Sequence, residues 1–370
     1  MNDNSKQRIF GLDLMRAIAI TMVLCSHILW IYPSKNRFIS NIFEMFGLWG
    51  VEIFFVLSGF LIGGILYKTY TSTNFSINEV FIFLKRRWFR TLPNYYLVLI
   101  INIVVATYIG YEMESLWRYF FFLQNFSSTM LPFFPESWSL SVEEFTYLLV
   151  PIVLFCSLKI KVKNKSIRFL SVIIILILFF LITKIVYAVT TDNSSMTQWN
   201  LSLKSVVIYR IDAILIGFLM FWISYNYKSF WEKHKKLFFL IGCALMGFIF
   251  LGIGTLRILI DTNPYFWNIF YLPLNSICFA MFLPVLSQWK TSKSIYVKPV
   301  QFISLISYSI YLIHYCIVMQ LMKYWIDTSS FSNIQLHMFT IVYLLVTITA
   351  SFLLYKFYEK PMTNLRENKI

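Results

Sequence analysis

Residues 169–189, FLSVIIILILFFLITKIVYAV, run for 21 positions with one charge, Lys184. About 20 consecutive apolar residues are what a helix needs to cross a bilayer, and inside lipid a single chain segment can satisfy its backbone only as a helix. Ten such apolar segments follow one another, at about 10–31, 46–67, 94–110, 138–158, 169–190, 206–226, 237–255, 266–287, 301–324 and 337–357. With 58% hydrophobic residues, 13% charged residues and a mean hydropathy of +0.68, the chain carries more apolar surface than one soluble core can bury. The expected fold is an all-α polytopic membrane protein, one membrane domain over 1–370.

The net charge of +15 is explained by where the basic residues sit. Lys and Arg alternate by loop. The N-terminal tail, loops 68–93, 159–168, 227–236 and 288–300, and the tail from Lys356 hold 23; the intervening loops hold five, Lys35, Arg37, Arg118, Lys204 and Arg257. Positive charge is retained on the cytoplasmic side, so both termini are expected inside, with no role for nucleic acid. The basic, apolar N-terminus is interrupted by Asp13 and Arg16 and reads as an uncleaved first helix. Five cysteines without paired spacing argue against a disulfide or zinc framework.

Ionisable residues inside spans are costly, so each asks for a reason. In GLDLMRAIAITMVLCSH (11–27), eleven helical steps bring Arg16 and His27 onto one face, about 20° apart in azimuth and about 16.5 Å apart along the axis. His27 is then either a polar residue satisfied by a neighbouring helix or part of a reactive path. Glu52 lies one turn into WGVEIFFVLSGFLIGG (49–64) and needs a cation, for which Arg16 and Arg210 are candidates; Gly59 and Gly63 suit close helix packing. The inner loop FLKRRWFRTLP (83–93) sets Arg86, Arg87 and Arg90 around aromatic residues, fit for a phosphate-rich ligand or for anionic lipid. PESWSLSVEEFTYLLVP (135–151) gathers Glu136, Trp138, Ser139, Glu143 and Glu144, part of which is ordinary helix capping. Arg210 and Asp212 read as a structural ion pair or an interfacial placement, and Tyr308, Tyr311 and His314 recur at intervals of three on another helix.

Taken in order, Arg16 and His27, FFVLSGFLI (54–62), RRWFRTLP (86–93), SWSLSVEE (137–144), YRIDAILIG (209–217), SYSIYLIH (307–314) and YEKPM (358–362) resemble the membrane-bound acyltransferase-3 family over nearly the whole chain. The resemblance implies an O-acyltransferase, most often an O-acetyltransferase, in the cytoplasmic (inner) membrane of a bacterium. The implied acyl donor is cytoplasmic acetyl-CoA or another acyl-CoA, a co-substrate, with no permanently bound cofactor and no metal. The implied acceptor is a hydroxyl of a surface polysaccharide such as lipopolysaccharide, or of a lipid-linked glycan. It implies the stand-alone type, without an outer SGNH-type domain. On that reading Arg86, Arg87 and Arg90 hold the phosphates of CoA, and Arg16 lines the route of its arm. His27 is general base or acylated nucleophile, and Glu143 orients its imidazole or receives the proton. Ser139 and Trp138 shape the acceptor side, and Glu52, Arg210, Asp212, Tyr311 and His314 form the supporting network. The competing class, a secondary transporter or lipid-linked-sugar flippase, would also have about ten helices and a polar path, but no internal repeat or matched pair of broken helices is present. A reporter active only in the cytoplasm, fused after Ile370, should be active; activity of an outside-only reporter at that position would overturn the loop assignment.

Overall fold

The computed structural model describes residues 8–32, 37–72 and 74–365; Lys6, Lys35, Arg366 and Lys369 of the loop count lie outside them. The protein is 78% helical, and no strand occurs among the described residues. Among the described residues, ten long helices succeed one another: α1 Phe10–Ile28, α2 Arg37–Thr71, α3 Ile77–Ile109, α4 Ser137–Ser157, α5 Lys165–Thr190, α6 Ile211–Asn226, α7 Lys235–Thr255, α8 Phe266–Leu286, α9 Val297–Trp325 and α10 Asn333–Leu365. All but α6 are long and apolar enough to cross a membrane. The protein is an all-α polytopic membrane protein.

Two boundaries differ from expectation. The arginines of 83–93 are not in a loop: α3 begins at Ile77 and continues through Pro93, because Val80, Phe83 and Leu84 already form a buried stripe before the proline. The charges between those positions conceal the stripe in an averaged hydropathy. The sixth span starts later than 206. Residues Met196–Trp199, Asn200–Lys204 and Val207–Tyr209 make short turns, leaving α6 with 16 residues, about 24 Å against a core of about 30 Å. Residues 111–137 fold back against α3 and α4: Tyr119, Gln124, Asn125, Phe133 and Phe134 are buried. Tyr95 donates to the Tyr119 carbonyl at 2.8 Å, and Gln124 donates to Ser137 at 3.0 Å and Ser141 at 2.8 Å.

The centre of the bundle is α2, which packs along α1 and α6, with α9 on the far side of α1. Small residues permit the closest approach. A Cβ built at Gly59 would lie 2.0 Å from the Ile214 carbonyl oxygen, and one at Gly217 would lie 2.3 Å from that of Val56, so the two helices touch backbone to backbone. The start of α6 carries two ion pairs, one to α2 and one to α5. Arg210 donates to Glu52, whose other oxygen accepts from Ser276 at 2.7 Å, and Lys184 pairs with Asp212. All four charged side chains are buried. Arg210, one of the two candidate partners of Glu52, takes that place, and Asp212 pairs with Lys184 instead of Arg210: two residues apart at the start of α6, they point to opposite neighbours, α2 and α5. Gly59→Ala should lower the thermal midpoint in detergent, since overpacking costs about 1–3 kcal/mol and the obstacle here is backbone. Gly254→Ala, with nothing within 4 Å, should not. Equal melting of the two variants would refute the close packing.

Candidate active site

Between α1, α2, α3, α4 and α9 lies a cavity of about 540 Å³. Four arginines face it, and each is placed differently. Arg8 makes a two-pronged bond to Asp13, at 2.9 and 2.7 Å; Ser304 of α9 donates to the same carboxylate at 2.7 Å and accepts from Arg16 at 3.3 Å. Asp13 and Ser304 therefore hold two guanidinium groups at the α1–α9 seam. Arg87 and Arg90, three residues apart on α3, share a face. The Arg87 guanidinium lies 4.7 Å over the Tyr147 ring, a cation–π placement. The Tyr147 hydroxyl donates to Glu143 at 2.8 Å and meets Ser58 at 2.5 Å. Arg90 has no hydrogen-bond partner among the described residues and lines the cavity. Arg86, grouped with them from sequence, is exposed and absent from the lining: one helical step from Arg87 turns it about 100° away. The wall is completed by Glu359 of α10, which accepts from Ser309 at 2.5 Å and Asn94 at 3.2 Å.

Phe54, Ser139 and Tyr311 also line the cavity. Ser139 donates to the Tyr311 oxygen at 2.7 Å, and Tyr311 donates to the Glu136 carbonyl at 3.0 Å. One turn further along α9, where the helix widens into a π-turn over His314–Met319, His314 stands 6.1 Å from the Tyr311 ring and 4.6 Å from the His27 ring. Such widened turns concentrate at functional sites. His314 Nδ1 faces two carbonyl oxygens, Tyr311 at 2.9 Å and Ile310 at 3.1 Å. Acceptors there require a proton on Nδ1, leaving Nε2 with a lone pair. That Nε2 lies 3.1 Å from His27 Nδ1, itself 2.9 Å from the Val23 carbonyl oxygen. His27 must then carry its proton on Nδ1, and its Nε2 keeps a free lone pair. His27 is half-buried, whereas His314 is fully buried.

The expectation that Glu143 orients His27 is corrected by this arrangement. Glu143 turns to Tyr147 and the arginine side of the cavity, and the residue beside His27 is His314. Glu52, Arg210 and Asp212 form the separate charge cluster between helices, not a network with Tyr311 and His314. Trp138 packs edge-on to Phe55 at 5.7 Å, outside the cavity lining. Among the described residues, no three His, Cys, Asp or Glu side chains are grouped to hold a metal ion.

Residues 9–356 match the acyltransferase-3 family, described as an acyltransferase domain. The chain belongs to that family. Similar curated proteins of Staphylococcus aureus include the O-acetyltransferase OatA of strain NCTC 8325 / PS 47, 26% identical over 95% of this chain and 57% of its own length. A putative O-acetyltransferase of strain COL is also 26% identical, over 95% of this chain and 56% of its own length. The chain thus spans a little more than half the length of these relatives. No solved structure matches.

Within this acyltransferase domain, sequence reasoning missed Arg8, Ser58, Tyr147, Ser304 and Glu359 as cavity residues. Tyr147 had a signal, its position four residues after Glu143 on one helix face. Arg8 reads in the sequence only as a topology charge, and Ser58 and Ser304 carry no signal that sets them apart from packing serines. Tyr147→Phe keeps the ring beneath Arg87 but removes the donor to Glu143, so it should destabilise the protein by about 1–3 kcal/mol. Unchanged melting in detergent would show that the Glu143 carboxylate does not depend on that hydroxyl.

Proposed function

We propose that the protein transfers an acyl group, most often acetyl, from cytoplasmic acyl-CoA to a sugar hydroxyl of a surface or lipid-linked glycan, in the cytoplasmic membrane of a bacterium. The observation that carries the reading is one face of α1: Arg16 lies in a cavity with three other arginines, and His27, at the other end of that face, has its Nε2 lone pair freed by His314. Family membership and O-acetyltransferase relatives support the reaction class.

In this reading the anionic nucleotide of CoA docks at Arg87 and Arg90, with Arg8 and Arg16 beyond them, because guanidinium groups bind phosphate oxygens in pairs. The flexible arm then runs along α1 past Arg16 towards Tyr311. His27 Nε2 takes the proton of the sugar hydroxyl as its oxygen bonds to the thioester carbon; the carbon–sulfur bond breaks, and the thiolate leaves with the electron pair and is then protonated. His314 accepts the His27 Nδ1–H and holds the ring in the required tautomer. Tyr311, tied to Ser139 and to the Glu136 carbonyl, stands between the cavity and the histidines, so passage of the acyl group requires its displacement.

The test is transfer from labelled acyl-CoA in membranes with protein amounts matched. His27→Ala should lose transfer by at least about 10²-fold, the usual contribution of a general base. Arg87→Ala and Arg90→Ala should raise the apparent KM for acyl-CoA, and Arg86→Ala should leave it unchanged. Near-normal transfer by His27→Ala, or equal effects of all three arginine variants, would overturn the assignment.

A further inference from the structure

At the end of the bundle that carries His27, the ammonium group of Lys204 lies 5.8 Å over the Trp138 ring. Phe55 meets Trp138 edge-on, and Arg210 lies 5.5 Å over Phe55, so the two rings stand between two cations. The frame is rigid. Asn125, fully buried, donates to the Trp138 carbonyl at 3.0 Å and to the Ser205 carbonyl at 2.5 Å, and its own carbonyl accepts from Val207 at 2.9 Å. One side chain thereby locks the segment bearing Lys204 to the start of α4.

Among the described residues, no carboxylate lies within ion-pair distance of Lys204; Glu52, already paired with Arg210, and Glu44 attract it only from further off. Arg210 spends one nitrogen on Glu52, and its Nε and Nη1 have no hydrogen-bond partner among the described residues. Burial first, and the Arg210 charge after it, pull the Lys204 ammonium down to about 8, which leaves it mostly charged at neutral pH. The same charge reaches the His27 ring. A half-buried cation held over a ring with no acid to neutralise it is an expensive arrangement unless an anion completes it.

We infer that Lys204 and Trp138 form a binding site for an anionic group on the acceptor, a carboxylate or a phosphate close to the hydroxyl presented to His27. The inference rests on the proposed acyl transfer for the meaning of "acceptor", but the site itself does not. The carboxylate of an acidic sugar and the phosphate of a polyprenyl carrier share the required chemistry.

Binding to the purified full chain in detergent distinguishes them. The probes are a glucuronate-containing disaccharide and its methyl ester, and undecaprenyl phosphate and undecaprenol. At least one anionic probe should bind about tenfold more tightly than its neutral counterpart, as expected for a charged hydrogen bond. Lys204→Ala should erase that preference and Lys204→Arg should keep it, which also shows that the site survives substitution. Preference confined to the glucuronate pair assigns the site to sugar acids; preference confined to the lipid pair assigns it to a carrier phosphate. Equal binding within both pairs, or an unchanged preference in Lys204→Ala, overturns the site. A retained preference in a protein that shows no transfer from acyl-CoA would overturn the proposed reaction and leave the site standing.

Discussion

Glu52 and Arg210 are buried where no water can replace a lost partner, and the architecture of the bundle follows from satisfying them. Their pairing joins α2 to α6, Ser276 brings in α8, and Lys184 with Asp212 ties α5 to the same end of α6. The backbone contact at Gly59 and Gly217 is the apolar counterpart, letting α2 and α6 come close enough for the charges to meet. With α6 only 16 residues long, this anchoring compensates for a helix that crosses less of the hydrocarbon than its neighbours.

A second polar system lies on the other side of α2 and obeys a different rule. In the charge cluster each acid has a base. Around the cavity four arginines meet three carboxylates, those of Asp13, Glu143 and Glu359, and those carboxylates already accept from Ser304, Tyr147, Ser309 and Asn94. Pairing stabilises the fold; incomplete pairing leaves guanidinium hydrogen-bonding capacity for a ligand. Arg210 and Arg90 show a contrast of degree within one residue type, the first ion-paired to Glu52 through one nitrogen and the second, with no hydrogen-bond partner among the described residues, lining the cavity.

Most of the helix order was legible in the sequence because a bilayer makes length and apolarity nearly sufficient. The shared face of Arg16 and His27 was legible too, since both lie on one helix and the helical repeat sets their azimuth. What eluded the sequence was azimuth between helices. Glu143 and His314 were both plausible neighbours of His27, and only the rotation of α4 and α9 about their own axes decides that the imidazole meets His314 while Glu143 meets Tyr147. Arg86 failed for a related reason: three arginines in a presumed loop have no azimuth, whereas on a continuous helix one of them must point elsewhere. The α3 start was missed because averaged hydropathy does not separate a buried stripe from the cations beside it.

If Arg16 and His27 act as proposed, α1 serves two ends of the bundle, and its surroundings must keep it from becoming a leak. Arg16 lines the cavity and His27 does not; Phe54 and Tyr311, which also line it, meet at 6.2 Å, and Tyr311 is held by two hydrogen bonds. A hydroxyl bound in that way is a reversible closure: moving it exposes Ser139 and the Glu136 carbonyl, at a cost of about 1 kcal/mol for each bond exchanged for one to a ligand or water. An apolar plug would need repacking of the core to open. On the proposed reaction, in which donor and acceptor come from opposite ends, a tyrosine closure would suit the site, since it would yield to a ligand that can replace its bonds.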